Sequence, residues 1–338
     1  MYPIAIYYTA LSSGDMTWLA NVKSGLDAIF IYLQSSGLNI SSSNPYTVFI
    51  APTTGIADGG RHTSNWYDVI NFGHYDAYLA VYGVWGMRCL AEIYNALGDS
   101  TNAQLAQSIY TKAKADFNTL FWNETANSYT DWIDIEGNAR HYYYVDIAFT
   151  AILANITLTS NQAQALMNHY NTRLADIYNE YNVSEGNIWS PPCSLYPITN
   201  AKEFATNEPL VFPTYESGGS FFHSPGLQYA ALGFMNQSSV AYNLFITLIN
   251  SPFGNIRGWA QQLYWGNPGS LVGFYPLNTA LLSVWGFFMS SFGIYPTLAN
   301  GIQFIGTPAP ELEGSRWNMS YLGKNVCLTI QNGQTVYC

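Results

Sequence analysis

The chain has 338 residues, which is enough for a large buried core in one domain, or in a large and a small domain. Its formal net charge of −10 argues against nucleic acids and anionic membranes as partners. No apolar run reaches the roughly 18–20 residues that a membrane-spanning helix needs, so we expect no membrane insertion.

The chain begins with an apolar, aromatic segment over residues 1–11, which is typical of the end of a structural element. Residues 17–35 carry apolar side chains at the 3.6-residue helical period and are followed by Gly37, so a helix is predicted there. Residues 39–60 are rich in Ser, Pro and Gly and predict an irregular connection.

Residues 64–78 combine two Asp, one His, one Trp and three Tyr and lead directly into a long helix. Aromatic rings can cover the apolar face of a sugar ring, and carboxylates can bind its hydroxyls or act as acids. The alternative interpretation is an ordinary helix start, with Asp76 as an anion in the first turn and the aromatic rings as core. This stretch alone favours neither interpretation.

Three pairs of predicted helices follow, and each pair repeats one pattern. The first helix is apolar nearly all round, the second is amphipathic, and a short turn joins them. One more buried helix is predicted over residues 275–292. The pairs cover residues 76–97 with 101–121, 144–156 with 160–181, and 224–235 with 238–250.

Long aromatic loops precede the buried helices, and a plain helical bundle does not need them. A buried inner helix with an amphipathic outer helix is what a toroid of helical hairpins requires. In such a toroid the loops gather at one end, where a functional site is expected. The sequence therefore predicts a mainly α fold with its site among the loops.

The C-terminal segment changes to a strand pattern, with predicted strands over 302–305, 316–321, 325–330 and 335–338. Asn332-Gly333 is a strong signal for a two-residue hairpin turn. Such a turn places Gln331 opposite Gln334, and therefore Cys327 opposite Cys338. A disulfide between the two is predicted, which indicates an oxidising compartment. The alternatives are two thiols, or Cys338 paired elsewhere.

The surface has to be covered largely by Ser, Thr, Asn, Gln and Tyr, because charged residues are scarce. Only 9% of the residues are charged, whereas the chain has 27 Tyr and 10 Trp. The chain contains Asn-x-Ser/Thr sequons, which fit an exported glycoprotein. A chain rich in Asn and Ser has several such sequons by chance, so they do not require glycosylation. Sequons begin at Asn39, Asn123, Asn155, Asn182, Asn236 and Asn318.

Several motifs occur in a characteristic order: Asn65-Trp66-Tyr67-Asp68, Gly98-Asp99, Tyr129-Thr130-Asp131-Trp132, Tyr215-Glu216-Ser217-Gly218-Gly219, and Gly293-Ile294-Tyr295-Pro296. Together they resemble the six-hairpin, (α/α)6-barrel glycosidase clan, which has glucoamylase-like, amylo-1,6-glucosidase-like, rhamnosidase-like and phosphorylase-like members. The resemblance covers residues 12–325.

The resemblance implies an (α/α)6 toroid of helical hairpins over residues 1–295. Residues 296–338 would then form a short C-terminal portion of a β-sandwich. The predicted helices are fewer than six hairpins need, so the toroid is expected to be incomplete. Either the chain is a shortened stand-alone form, or remaining segments of a longer polypeptide are partners.

The resemblance also implies inverting cleavage of a glycosidic bond, with Asp68 as the general acid. A carboxyl group shielded by Trp66 and Tyr67 is expected to have a raised pKa, as a proton donor to a leaving oxygen needs. The alternative for Asp68 is a carboxylate that holds loop backbone. In this sequence Asn65 stands where the clan often has Asp.

An inverting hydrolase needs a general base about 6.5–9.5 Å from the acid. Ala260-Gln261-Gln262 resembles the stretch in which glucoamylase-like members carry their base, but Gln261 cannot accept a proton. Glu216, beside Gly218-Gly219, is the candidate base, and its alternative is a sugar-binding or structural carboxylate. Further alternatives are that phosphate replaces the attacking water, or that catalysis is lost.

Other residues are candidates for sugar contact because they are aromatic or polar and are predicted to lie in loops. For Asp131 the alternative is a turn pair with Asp134. No glycine-rich phosphate loop, zinc-ligand spacing or Ser-His-Asp order is present, so we expect no cofactor and no metal, and the alternative is a Ca²⁺ ion bound by loop carboxylates. The substrate-binding candidates are Trp66, Tyr67, Asp76, Asp131, Trp132, Trp259, Gln261 and Trp265.

Two functions follow from these observations. The first is a secreted glycoside hydrolase that acts on an oligosaccharide or polysaccharide by an inverting acid/base mechanism. The second is a non-catalytic glycan-binding or structural protein of a cell surface or virion, which would keep the aromatic residues and lose the base. Both place the protein outside the cell or at a surface.

Overall fold

The structure is a computed structural model of the chain. It describes residues 1–37, 46–48, 50–51, 55–56, 65, 67, 69–180, 190–204, 210–212, 216–221, 223–250, 262–263, 271–272 and 280–338. These residues form ten α-helices and several small antiparallel sheets, so the fold is mainly α. None of the helices in these ranges combines the length and the apolar character that crossing a membrane requires.

The N-terminal helices differ in detail from the sequence prediction. Residues 1–11 belong to a helix, α1 (Tyr2–Ser13), which ends at Gly14 with a φ of 64°. The single helix predicted over 17–35 is divided into α2 (Met16–Asn21) and α3 (Lys23–Tyr32). The division lies at Val22, which ends α2 and precedes α3, while the carboxylate of Asp15 caps the start of α2 by accepting the backbone N–H of Trp18.

Three antiparallel helical hairpins form the centre of the chain, and all three were predicted from the apolar periodicity. The short turns contain residues in the left-handed region, such as Gly98 with a φ of 75° and Asn236 with a φ of 58°. The hairpins are α4 (Ala77–Ala96) with α5 (Ser100–Phe121), α6 (Val145–Leu153) with α7 (Ser160–Glu180), and α8 (Ser224–Phe234) with α9 (Ser238–Asn250).

The first helices of the hairpins form a row that is buried on most sides. Helix α4 packs against α6, α6 against α8, and α8 against α10 (Ala280–Ser291). Helix α1 packs against α4. The Tyr8 ring of α1 lies 6.2 Å from that of Trp85 on α4 and 5.5 Å from that of Trp285 on α10. Helix α1 therefore touches both the first and the last helix of the row.

Helices α8 and α10 approach each other with their backbones in direct contact. A Cβ atom placed on Gly226 would lie 2.3 Å from the carbonyl oxygen of Leu282. A Cβ atom on Gly286 would lie 2.1 Å from the carbonyl oxygen of Gly226. Glycine at both positions therefore allows a closer crossing than any other residue would.

Short strands connect the ends of the helices. The first ones are β1 (Tyr75–Asp76), β2 (Trp122–Asn123), β3 (Ser128–Tyr129), β4 (Trp132–Ile133) and β5 (Ala139–Arg140). Strand β4 pairs with both β1 and β5, and β2 pairs with β3. Strands β6 (Ser220–Phe221), β7 (Gln262–Leu263) and β8 (Leu271–Val272) form another sheet.

The C-terminal strands agree with the prediction to within about a residue at most ends. They are β10 (Gly301–Phe304), β11 (Arg316–Tyr321), β12 (Lys324–Gln331) and β13 (Gln334–Tyr337). Strand β9 (Ile294–Thr297), which pairs with β10, was not predicted. Four consecutive buried residues give β9 no alternation of apolar and polar side chains that could mark it in the sequence.

The C-terminal hairpin contains the disulfide that its geometry predicts. Gln331 lies opposite Gln334, and Asn332 and Gly333 have φ values of 54° and 70°, as the mirror-image hairpin turn requires. Cys327 and Cys338 therefore lie opposite each other, with Cα atoms 5.3 Å apart, and are joined by a disulfide.

Candidate functional site

The helices α4, α6 and α8 begin at the same end of the row, which we call the loop end. Their N-terminal neighbours are Asp76, Tyr144 and His223. Side chains from these helix starts contact one another and the loop segments that precede them. Because helix N-termini carry partial positive charge, carboxylates are favoured in this region.

Asp146, in the first turn of α6, contacts the start of α8 and the segment that contains Tyr67. It is fully buried, and its Oδ2 accepts a hydrogen bond from His223 Nε2 at 2.7 Å. Ser224 Oγ donates to Oδ1 at 2.8 Å, and the Tyr67 hydroxyl lies 3.3 Å from Oδ2. Asp146 is not among the site residues predicted from the sequence. The available signal was a single carboxylate inside the apolar run Val145–Leu153.

Glu216, the candidate base, is fully buried and lies directly against the segment that contains the candidate acid. Its Oε2 accepts the backbone N–H of Val69 at 2.9 Å. The carbonyl oxygen of Glu216 accepts the hydroxyl of Tyr144 at 2.8 Å. Glu216 therefore holds the residue that follows Asp68 in the chain, and its own backbone is held by the start of α6.

Asp131 is 1% exposed and binds three successive backbone N–H groups. Tyr143 and Tyr144 donate at 3.0 and 2.8 Å, and Tyr142 donates to the same carboxylate. Burial raises the pKa of Asp131 to about 7, although the three hydrogen bonds favour the ionised form. The contacts of Asp131 therefore hold the chain that enters α6.

Asp134 forms a turn. Its Oδ1 accepts the backbone N–H groups of Glu136 and Asn138 at 3.0 and 2.8 Å. Arg140 donates to Oδ2 at 2.7 Å and forms an ion pair with Glu203 at 3.1 Å. Asp134 therefore holds the turn that follows it in the chain, whereas Asp131 binds the backbone of residues 142–144.

Trp132, which was predicted to lie in a loop, belongs to strand β4. The Trp132 side chain is fully buried, and its Nε1 donates to the carbonyl oxygen of Gly55 at 3.2 Å. Its ring packs between those of Phe72, at 4.7 Å, and Tyr142, at 5.6 Å. The pairing of β4 with two strands brings these apolar partners together, so the indole lies in the core.

Tyr67 and Asp76 are also fully buried. The ring of Tyr67 stacks on Phe72 at 5.3 Å and meets Tyr144 edge-on at 4.7 Å. Asp76 caps α4, because its carboxylate accepts the backbone N–H of Leu79 and the amide of Asn65. Tyr67 and Asp76 therefore both help to organise the loop end.

The remaining predicted site residues lie outside the part of the chain that the structure describes. They are Trp66, Asp68, Trp259, Gln261 and Trp265. Among the described residues, no group of three or more His, Cys, Asp or Glu side chains is arranged to hold a metal ion.

No protein-family model and no curated protein matches the sequence. Solved structures do match the fold. The GH78 family rhamnosidase of Bacillus sp. GL1 aligns with 99% of this chain at 13% identity and a TM-score of 0.54. An α-L-rhamnosidase from Dictyoglumus thermophilum aligns with 97% at 15% identity and a TM-score of 0.54. A sialidase aligns with 94% at 14% identity and a TM-score of 0.59.

The matched region is only part of each of these proteins. This chain spans 30% of the Bacillus rhamnosidase, 31% of the Dictyoglumus rhamnosidase and 28% of the sialidase. At such identities the likeness concerns the fold alone, and the chain has a glycosidase-like fold.

Proposed function

We propose that the chain is a secreted glycoside hydrolase that cleaves a glycosidic bond by inversion, with its site at the loop end. The observation that carries the proposal is the 2.9 Å hydrogen bond between Glu216 and the backbone of Val69. It brings together the two segments that the sequence assigns to catalysis. The glycosidase-like fold supports a carbohydrate as the substrate.

We also propose a toroid of helices followed by part of a β-sandwich. Helices α1, α4, α6, α8 and α10 would be inner helices of an (α/α)6 toroid, and strands β9–β13 would belong to a β-sandwich. The contacts of Tyr8 with both α4 and α10 support a ring of helices. The disulfide Cys327–Cys338 is compatible with an extracellular location.

In the proposed reaction, Asp68 protonates the leaving oxygen. In the same displacement a base removes a proton from the attacking water, and Glu216, whose carboxylate accepts the N–H of the residue that follows Asp68 in the chain, is the candidate. Because Glu216 is fully buried and accepts a backbone N–H group, its contacts support positioning of the 67–72 segment as a second role.

A non-catalytic glycan-binding protein on the same fold is the second candidate function. The observation that favours it is the full burial of Asp76, Asp146 and Glu216. A general base has to reach a water molecule, whereas a carboxylate that only maintains the shape of a binding surface does not. This candidate also places the carbohydrate at the loop end.

Release of reducing sugar from a panel of α- and β-glycans tests the first candidate. The panel should include α-L-rhamnosides and sialosides, because the structural neighbours are named for such substrates. Hydrolysis that Asp68→Asn abolishes would support the enzyme. Binding of a glycan without hydrolysis would support the second candidate. If the protein neither binds nor hydrolyses any glycan of the panel, both candidates are contradicted.

Two substitutions of Glu216 separate its two roles. Glu216→Gln keeps an oxygen that can accept the Val69 N–H group but cannot take a proton, so a base role predicts loss of activity in a folded protein. A positioning role predicts near-normal activity for Glu216→Gln and a loss for Glu216→Ala. Glu136→Gln, in an exposed turn, is the matched control.

A further inference from the structure

A polar groove runs along α7, and its lining includes none of Asp146, His223 and Tyr67. One part of it has a volume of about 430 Å³ and the other about 370 Å³, and Asn127 and Ala165 line both. The two parts are therefore continuous, and we call them together the α7 groove. Each part lies within the roughly 300–1,000 Å³ that is typical of small-molecule sites.

Each part of the α7 groove contains an aromatic ring whose orientation is held by its neighbours. Trp122, which is partly exposed, meets Tyr129 edge-on at 5.3 Å. Tyr196 donates its hydroxyl to His169 Nε2 at 2.9 Å, while His169 Nδ1 donates to the carbonyl oxygen of Ala126 at 2.8 Å. Rings that are already held in place lose little conformational entropy when a ligand binds.

Side-chain amides line both parts of the groove. Asn127, Asn161 and Asn168 line the groove and are exposed. Each amide carries both donor and acceptor groups, which matches the hydroxyl groups of a sugar. A ligand with apolar faces and many hydroxyls therefore fits the groove better than a wholly apolar ligand.

The charges of the groove disfavour an anionic ligand. Its cation, Arg173, donates to both carboxylate oxygens of Glu180, at 2.6 and 2.9 Å, and to the carbonyl oxygen of Leu195. The guanidinium group also lies 4.9 Å from the centre of the Tyr196 ring, so it supports that ring. Glu124 and Asp176 line the groove and would repel phosphate, sulfate or uronic acid groups.

We propose that the α7 groove is a binding site for a neutral oligosaccharide, separate from the loop-end site. Trp122 and Tyr196 would contact the apolar faces of sugar rings, and the three asparagines would bind hydroxyl groups. The site holds a glycan chain and performs no chemistry, so it does not depend on bond cleavage at the loop end.

Titration calorimetry with neutral xylo-, malto-, cello- and rhamno-oligosaccharides tests this proposal. We expect at least one of them to bind, and we expect the double variant Asn161→Ala/Asn168→Ala to weaken its Kd about tenfold or more. Trp122→Ala should weaken binding similarly. Asn179→Ala, an exposed change on the same helix outside the groove, is the matched control and should bind normally.

Two control measurements, and a comparison with sulfated glycans, uronic acid glycans and peptides, complete the test. Unchanged melting temperature in Asn161→Ala/Asn168→Ala shows that its effect is on binding. The Asp68→Asn variant should retain groove binding, which separates this site from the proposed hydrolase site. The proposal is overturned if no neutral oligosaccharide binds, if the double variant binds like the Asn179→Ala control, or if only sulfated glycans, uronic acid glycans or peptides bind.

Discussion

His223 Nε2 and Asp146 Oδ2 lie 2.7 Å apart, although 77 residues separate them in the sequence. The contact joins the start of α8 to the first turn of α6. Ser224 and Tyr67 bind the same carboxylate, so one buried group holds three segments of the loop end. The loop end is thus organised around a carboxylate that neither the aromatic motifs nor the helical periodicity indicates.

Replacement of Asp146 by Ala is expected to destabilise the protein strongly. It leaves the buried partners of the carboxylate without their acceptor, and loss of one member of a buried network costs about 3–5 kcal/mol. Urea unfolding measures the change. Asp27→Ala is a suitable control, because its ion pair with Lys23 is partly exposed and should contribute about 1 kcal/mol or less. Equal effects of the two changes would contradict the central role of Asp146.

Asp131 is expected to make stability depend on pH. Its pKa is raised from 3.8 to about 7, so its folded form binds a proton more tightly than its unfolded form. The stability that this group contributes is fully present below about pH 4 and is lost as the pH rises through about 7. Asp131 alone cannot lower the free energy of unfolding by more than about 1.4 kcal/mol per pH unit.

Urea unfolding of the native protein and of Asp131→Asn between pH 4 and 8 isolates this contribution. The variant should be less stable at each pH, because an amide cannot accept all three backbone N–H groups that the carboxylate binds. The stability of the variant should also fall less than that of the native protein as the pH rises, because the variant has no carboxyl group at position 131. Parallel pH profiles for the two proteins would show that this carboxyl group has an ordinary pKa.

The three helical hairpins could be predicted from the sequence because their signals are local. The apolar period and turn residues such as Gly98-Asp99 lie within the elements themselves. The Asn332-Gly333 turn is also a local signal, and it determined the register of the C-terminal β-hairpin. Strand β9 lacked such a signal because all four of its residues are buried.

Burial at the loop end could not be predicted in this way. Trp132 is enclosed by rings that arrive from other segments, and Glu216 meets Val69 across 147 positions of the chain. A carboxylate next to glycines looks the same in a sequence whether it faces solvent or a backbone N–H group. Trp132 and Glu216 were therefore identified as site candidates without their burial, and Asp146 was not identified.

The close crossing of α8 and α10 predicts a large effect of a small substitution. In Gly226→Ala the new methyl group would lie 2.3 Å from the backbone oxygen of Leu282, so the helices must separate. Overpacking of this kind costs about 1–3 kcal/mol, and more where backbone has to move. Thermal unfolding should show a lower melting temperature.

Gly25→Ala is the matched control for this crossing. Gly25 lies within α3, and among the described residues no heavy atom beyond its chain neighbours and the nearby backbone of its own helix lies within 4 Å of the position that its Cβ would occupy. Alanine is favoured over glycine inside a helix by about 1 kcal/mol, so this variant should be as stable as the native protein or more stable. A similar loss of stability in both variants would argue against the close contact of α8 with α10.

The disulfide Cys327–Cys338 is expected to stabilise the C-terminal sheet. The two cysteines are 11 residues apart, and closure of a short loop of about 15 residues is worth roughly 3 kcal/mol. The double variant Cys327→Ser/Cys338→Ser should therefore unfold at a lower urea concentration. Dithiothreitol should lower the stability of the native protein towards that of the variant and leave the variant unchanged. If the reductant affects both proteins equally, its target is not this disulfide, and if it affects neither, the bond contributes little to stability.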